Sequence, residues 1–251
     1  MINIISSDAI SKSRAFSKVK REKGEDNIHW LSRTKPPNDD QVLLVMVGGT
    51  NQNDFRLRTA QSHVRSDFAP SNWSHVMLLG DEAKKLGSSK VTEVSLEPLH
   101  GFGVPAPYNG VQHGILSRYA DPERYPNIAV LKVPVQRKEV GEALRRFKLQ
   151  RAVLDEVDLI VRWLAFVWGV ARSGNPLLDG YGIPAAAMLE IVIGAAGFDL
   201  TPGLESRSSC PEAISQAAKY WHQYYQDQDK PPLSGSYYSP HHLLDLPKSK
   251  T

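Results

Sequence analysis

The amino-acid sequence predicts an α+β protein, in which an antiparallel sheet packs against helices. The first half of the chain has apolar runs of strand length, and the second half has apolar residues at helical spacing. The only cysteine, Cys210, falls where a helix is predicted to begin. With 251 residues, 41% of them hydrophobic and 23% charged, the chain has the size and composition of one soluble globular domain.

The first 29 residues are predicted to be a basic, mobile leader, followed by a single domain over residues 30–251. The leader carries six basic residues and few apolar ones, and it lacks the aromatic or glycine rhythm of a nucleic-acid-binding arm. It also has no apolar run, which argues against a secretory signal. We therefore expect no nucleic-acid partner, and a protein that is cytoplasmic or exported by a signal-independent route.

Three strands are predicted in the first half of the chain. The first is Gln41–Val47, which ends at the turn Gly48-Gly49-Thr50; this turn lacks the Gly-Lys-Ser or Gly-Lys-Thr of a phosphate loop. The second begins at His75 and ends at a Gly-Asp turn. The third covers Lys90–Pro98 and places Glu93, Ser95 and Glu97 on one face.

A carboxylate is predicted to lie near an imidazole if the second and third strands pair as a hairpin. Glu93 is the first choice for this partner of His75, and Glu97 is the reserve on the same face. A carboxylate in this position orients a histidine that takes a proton from a cysteine. Taken singly, each residue also fits a satisfied polar side chain or a solvated strand face.

The rest of the chain is predicted to complete the sheet and then form the helices. Leu99–Pro126 is rich in Gly, Pro and Tyr, and it is predicted to be either a wall or lid over a cleft or an ordered Ω-loop. Asn127–Val133 reads as a strand inside the sheet. The apolar stretch Leu159–Ala171 is too short to span a bilayer, so no transmembrane segment is expected. Further helices are indicated by a stripe at Val157, Ile160, Val161, Leu164 and Trp168 and by the segment that begins at Pro184.

Cys210 is followed by Pro211 and Glu212, which favour the first turn of a helix. A helix N-terminus lowers the pKa of a thiol and can stabilise an oxyanion, so the position predicts a nucleophile. The alternative is that Cys210 is a small buried hydrophobic residue. A single cysteine forms no disulfide within the chain, so nothing requires an oxidising compartment.

The order histidine, glutamate, cysteine resembles the circularly permuted papain-like fold of the YiiX and lecithin retinol acyltransferase group, relatives of NlpC-type amidases. In ordinary papain-like enzymes the cysteine helix precedes the histidine strand, and here it follows that strand. The resemblance extends over residues 41–244. It is based on Ser74-His75-Val76-Met77, Val91-Thr92-Glu93-Val94, Cys210-Pro211-Glu212 and the tail from Tyr238 to Leu244. Met77 departs from the pattern, which has a small residue there.

The resemblance implies a cysteine hydrolase with a Cys210, His75 and Glu93 triad. Cys210 attacks the carbonyl of an amide, isopeptide, ester or thioester, and His75 moves the proton. Pro211 has no N–H, which leaves the Cys210 N–H as an oxyanion donor. The substrate is predicted to be a peptide, lipid or small acyl compound. An acyltransferase with the same triad and a non-catalytic binding module remain open, as does the oligomeric state.

No cofactor is expected from the sequence, and a metal site is the least favoured alternative. The histidines weighed for it are His100, His113, His241 and His242. The two adjacent histidines point in opposite directions on an extended chain, and no metal-binding motif includes them.

Overall fold

A computed structural model of the protein describes residues 16–37, 39–81, 83–97, 108–150, 154–224 and 233–240. Within them, a seven-stranded sheet packs with six α-helices, which confirms the α+β class. The strands are β1 Phe16–Lys18, β2 Gln41–Gly48, β3 His75–Leu79, β4 Lys90–Glu93, β5 Gln112–Ile115, β6 Asn127–Gln136 and β7 Ser234–Tyr238. The helices are α1 Asn27–Thr34, α2 Gln52–Ala60, α3 Arg137–Leu149, α4 Leu154–Trp168, α5 Pro184–Ala195 and α6 Pro211–Tyr224.

The sheet has the order β1-β7-β6-β2-β3-β4-β5. All neighbouring strands are antiparallel except β1 and β7, which are parallel. The sheet is therefore mixed, and the expectation of a purely antiparallel sheet is wrong at this edge. Strand β1 is three residues long, too short for a period-two pattern, and its partner lies more than 200 residues along the chain.

The ordered fold begins before the predicted boundary at Trp30. Phe16 is 1% exposed in β1, and Asp26 caps α1 by accepting a hydrogen bond from the His29 N–H at 2.8 Å. The buried Asn27 amide donates to the carbonyls of Tyr119 and Tyr125. Residues 16–29 are thus tied to the domain, and the prediction of a leader is wrong for them. Residues 1–15 of that prediction lie outside the described residues.

Strand β2 lies at the centre of the sheet and is buried on both faces. Its side chains alternate between two apolar clusters, because successive residues of a strand point in opposite directions. Leu44 and Met46 belong to the cluster that includes α3 and α5, whereas Leu43 and Val45 pack in the cluster with α1. Burial on both faces explains why the strand is continuously apolar.

The predicted hairpin of β3 and β4 is confirmed, with Leu78 opposite Thr92 and Leu79 opposite Val91. Strand β4 ends at Glu93, earlier than predicted, so the alternation does not continue to Glu97. Part of the segment predicted to be irregular is ordered: it contains β5, paired with β4, and a 3-10 turn at Leu116–Tyr119. The short Gln-His-Gly-Ile sequence of β5 lacks a strand pattern. Residues 99–107 of that segment lie outside the described residues.

The predicted helices at Pro184 and Pro211 are confirmed as α5 and α6. In α4 the predicted apolar face is wrong at Val161, which is 55% exposed, and at Trp168, which is 59% exposed, whereas Ile160 of that face is buried. Within residues 157–168, the buried side chains are Leu159, Ile160, Trp163 and Val167. Its packing against α2 and α5 selects that face, and the Trp163 Nε1–H donates to the Gly182 carbonyl at 2.6 Å.

Among the described residues, the stretch Val170–Ala195 is long enough and apolar enough to cross a membrane. In the fold, however, 67% of the most apolar part of this stretch is buried. Its second half is α5, which packs against β3 and α3. Buried core helices of soluble proteins have the same composition, so the expectation of no membrane span stays a prediction.

Candidate active site

His75 and Glu93 meet at one end of the β3–β4 hairpin. The His75 Nε2 and Glu93 Oε2 atoms are 2.5 Å apart, and Glu93 is fully buried. This confirms the predicted contact between the two residues. Burial is the largest single influence on the pKa of Glu93 and raises it. The hydrogen bond and charge of His75 and the hydroxyl of Tyr119 together outweigh burial, so the pKa of Glu93 is lowered.

Tyr119 is the second partner of Glu93, and no pattern in the sequence indicated this contact. Its hydroxyl donates to the same Oε2 oxygen at 2.5 Å, and its ring stacks near that of His75 with centroids 6.1 Å apart. Burial and the adjacent Glu93 raise the pKa of Tyr119 well above its usual value, so it stays a proton donor in this hydrogen bond. The other oxygen of Glu93 is buried without a partner among the described residues. Two donors on one oxygen therefore set the orientation of this carboxylate.

His75 lines a pocket that has both apolar and polar side chains in its lining. The apolar lining residues are Leu57, Val94, Leu96, Val167 and Ile183, and the polar ones include Asn53, Asp54, Ser74, Ser95, Glu97, Arg118, Tyr119 and Tyr125. Arg118, Tyr119 and Tyr125 come from the segment predicted to border a cleft, and the prediction is confirmed for these three residues.

Asp54 also lines the pocket, and no sequence pattern predicted it. It stands in the first turn of α2, where its N–H donates to the Asn51 cap at 2.7 Å. Burial raises the pKa of Asp54, against a hydrogen bond from Ser74, and its Oδ2 atom has no partner among the described residues. A Cβ atom at Gly49 would lie 2.0 Å from this oxygen. Any larger residue at position 49 would therefore displace the Asp54 carboxylate.

Glu97, the reserve partner for His75, also lines the pocket but is engaged elsewhere. Its carboxylate accepts hydrogen bonds from Asn51 Nδ2 at 3.1 Å, Arg118 Nη2 at 3.2 Å and Arg124 Nη2 at 2.9 Å. The geometry thus favours Glu93 over Glu97 as the residue that orients His75.

Cys210 lies at the N-terminus of α6, as predicted, but its environment differs from the expected one. The thiol is 1% exposed, and burial raises its pKa to about 12. The backbone N–H groups of Ala213 and Glu212 lower this pKa, while the charges of Glu212 and Glu190 raise it. The expectation of a thiol with a lowered pKa is therefore wrong for this arrangement, because desolvation outweighs the helix terminus.

The start of α6 is fixed against the segment that leads into β3. The Gln61 side chain accepts from the Glu212 N–H at 2.8 Å and donates to the Trp73 carbonyl at 2.8 Å. The Ser71 hydroxyl donates to the Glu212 carboxylate at 2.6 Å. Because Trp73 lies two residues before His75, the cysteine helix begins close to the entrance of the histidine strand, as the resemblance implied.

No hydrogen bond joins the Cys210 sulfur to His75 in the described part of the chain. Leu57, Val167 and Ile183 belong both to the apolar cluster that holds Cys210 and to the wall of the pocket. The Ile183 N–H donates to the carbonyl of Ser209, next to the cysteine, at 2.8 Å. Cys210 is not among the residues that line the pocket but packs with three side chains that are, and the predicted hydrogen-bonding contact with His75 is not formed within the described residues.

No group of three or more histidine, cysteine, aspartate or glutamate side chains is arranged to hold a metal ion within the described residues. His113 contacts Thr92 at 3.0 Å and Lys148 at 2.7 Å. His100, His241 and His242 lie outside the described residues, as does the end of the tail from residue 241.

Comparison of the chain with protein-family models, with curated proteins and with solved structures found no match. The resemblance to the permuted papain-like group therefore stays a prediction.

Replacing Glu93 by glutamine is expected to lower the free energy of unfolding at neutral pH by about 1–2 kcal/mol, because a charge-assisted hydrogen bond to His75 is lost. Because its pKa is lowered in the folded state, ionised Glu93 stabilises the fold at pH values above its ordinary pKa of 4.5. This contribution disappears as the pH falls through the folded-state pKa. The melting temperatures of the wild type and Glu93→Gln should therefore differ at neutral pH and converge as the pH is lowered. Glu142→Gln, an exposed position of α3, is the control, and parallel curves for wild type and Glu93→Gln would contradict the linkage.

Proposed function

We propose that the protein is a thiol-dependent hydrolase that acts on an amide, isopeptide, ester or thioester bond. The observation that supports this most directly is the hydrogen-bonded set of His75, Glu93 and Tyr119 beside a pocket. A histidine held by a buried carboxylate through one ring nitrogen keeps its other nitrogen for a proton transfer. The start of the cysteine helix is fixed near the same strand entrance.

The proposed reaction requires the buried Cys210 thiol, which does not line the pocket, to move into it. His75 Nδ1 then accepts the thiol proton, and the sulfur forms a bond with the carbonyl carbon of the substrate. The leaving group departs with the proton from His75. Water, deprotonated by His75, next attacks the thioester, which releases the acid and restores the thiol. An amine or alcohol in place of this water gives acyl transfer.

A non-catalytic binding module is the second candidate. The burial of Cys210, together with a thiol pKa of about 12, favours it, because a thiol in this state is not nucleophilic at neutral pH. In that case the pocket binds a ligand without a reaction, and the contact between His75 and Glu93 fixes the shape of the pocket.

Alkylation of Cys210 by iodoacetamide separates these two functions, and labelling is unambiguous because the chain has one cysteine. If the enzyme proposal is right, the reaction of the folded protein persists well below the ordinary thiol pKa of about 8.5 and becomes at least roughly tenfold slower in His75→Ala. His113→Ala, outside the pocket, is the control and should react like the wild type. The enzyme proposal is contradicted if the alkylation rate follows an ordinary or raised thiol pKa and is the same in His75→Ala. That result would support the binding module.

A further inference from the structure

Asn27, the first residue of α1, is completely buried and contacts the loop formed by residues 119–125. Its backbone N–H donates to the Ala120 carbonyl at 2.9 Å. Its side-chain Nδ2 donates to the Tyr119 carbonyl at 2.8 Å and to the Tyr125 carbonyl at 2.9 Å. All three N–H groups of this one residue are therefore bound to the same loop.

The orientation of the Asn27 amide is fixed by Arg21, which lies before α1. The Arg21 guanidinium donates to Asn27 Oδ1, and it also donates to the Pro126 carbonyl at 3.4 Å. A guanidinium has donors only, so the amide oxygen faces Arg21 and both amide hydrogens face the loop. None of the described residues before β2 lines the pocket, so this part of the chain contacts the site through the loop.

The loop carries two tyrosines that line the pocket, Tyr119 and Tyr125, whose ring centroids are 5.1 Å apart. Tyr119 is held at both ends, because its carbonyl accepts from Asn27 and its hydroxyl donates to Glu93 Oε2 at 2.5 Å. The same Glu93 oxygen is 2.5 Å from His75 Nε2. A chain of contacts thus extends from Asn27 through Tyr119 and Glu93 to His75.

We propose that Asn27 is a positioning residue of the candidate active site: its amide holds the 119–125 loop so that the Tyr119 hydroxyl stays on Glu93 and sets the hydrogen bond between Glu93 and His75. The inference adds a residue from the first helix to the site. Its meaning for catalysis rests on the proposed function, whereas the contacts themselves can be tested without a reaction.

The chemistry of Glu93 gives the expected direction of the effect. The pKa of Glu93 is lowered, so at neutral pH its carboxylate only accepts hydrogen bonds and the His75 Nε2–H is the donor. The Tyr119 hydroxyl donates to the same oxygen and withdraws electron density from it. Loss of this hydroxyl should therefore strengthen the bond from His75 and move the resonance of its Nε2 proton downfield.

Proton NMR of the His75 Nε2–H at neutral pH tests the proposal. Tyr119→Phe should move this resonance downfield by more than its linewidth, and Asn27→Ala should move it in the same direction by a smaller amount. Asn109→Gly is the matched control: the buried Asn109 amide donates to the Phe147 carbonyl, away from the pocket, and glycine suits its φ of 57°. This control also loses a buried amide and its stability, but its His75 resonance should stay at the wild-type position.

The double variant Asn27→Ala with Tyr119→Phe should have the same His75 resonance as Tyr119→Phe, because both changes act through one hydroxyl. An unchanged resonance in Tyr119→Phe overturns the proposal at its first step. A wild-type or upfield position in Asn27→Ala, or additive shifts in the double variant, overturns the role of Asn27. Asn27→Ser replaces Asn27→Ala if the alanine variant does not fold. The resonance requires neither Cys210 nor turnover, so failure of the enzyme proposal in the alkylation of His75→Ala is seen separately.

Discussion

Replacing Arg58 by methionine is expected to lower the free energy of unfolding by about 3 kcal/mol. Arg58 is completely buried, and its guanidinium donates to the Ser71 carbonyl at 2.8 Å and to the Gly49 carbonyl at 3.0 Å. Methionine fills much of the space but leaves both carbonyls without these donors. It also removes a positive charge that interacts with the buried Asp54. Thermal unfolding should show a melting temperature lower by about 6–12 °C.

The control for Arg58→Met is Thr59→Met, an exposed position of the same helix. It should change stability by less than about 0.5 kcal/mol. Because the two carbonyls flank the approach to β3, Arg58→Met should also disturb the pocket, visible as shifted NMR resonances of His75. A melting temperature equal to that of Thr59→Met would show that Arg58 does not stabilise these segments.

Replacing Gly182 by alanine is expected to destabilise the protein by about 2–3 kcal/mol, because the new methyl group has no space. A Cβ atom there would lie 2.3 Å from the Ser209 carbonyl oxygen and 2.6 Å from the Arg207 carbonyl oxygen. Backbone atoms cannot move aside as a flexible side chain does, so the connection that leads to Cys210 must shift. The melting temperature should fall by about 4–12 °C, and Cys210 should become more accessible to iodoacetamide.

Gly141→Ala in α3 is the matched control, because a Cβ atom at that position meets nothing within 4 Å. Alanine favours a helix interior over glycine by about 0.5–1 kcal/mol, so this variant should be slightly more stable than the wild type. If Gly182→Ala is as stable as Gly141→Ala, the close packing of residues 182 and 207–209 is not what holds the connection in place.

The parts of the candidate site that depend on local sequence signals could be predicted from the sequence. The alternation of β3 and β4, with a turn between them, placed Glu93 beside His75, since antiparallel pairing brings the end of one strand to the start of the other. Tyr119 and Asp54 were missed, because a single residue in a 3-10 turn or in a short polar helix carries no periodic signal. Their contacts with the site depend on segments that are distant in the chain.

The α+β class, the central strands and the helix that begins after Cys210 could be predicted, because apolar periodicity and Pro-Glu at a helix start are local properties of the chain. The buried face of α4, the strands at the sheet edge and the burial of the thiol depend instead on contacts between distant segments. The helix terminus lowers the pKa of Cys210, but Leu57, Trp163 and Ile183 come from three distant segments to enclose it. Desolvation by such neighbours is larger than the local helix effect, and it depends on packing that no local pattern encodes.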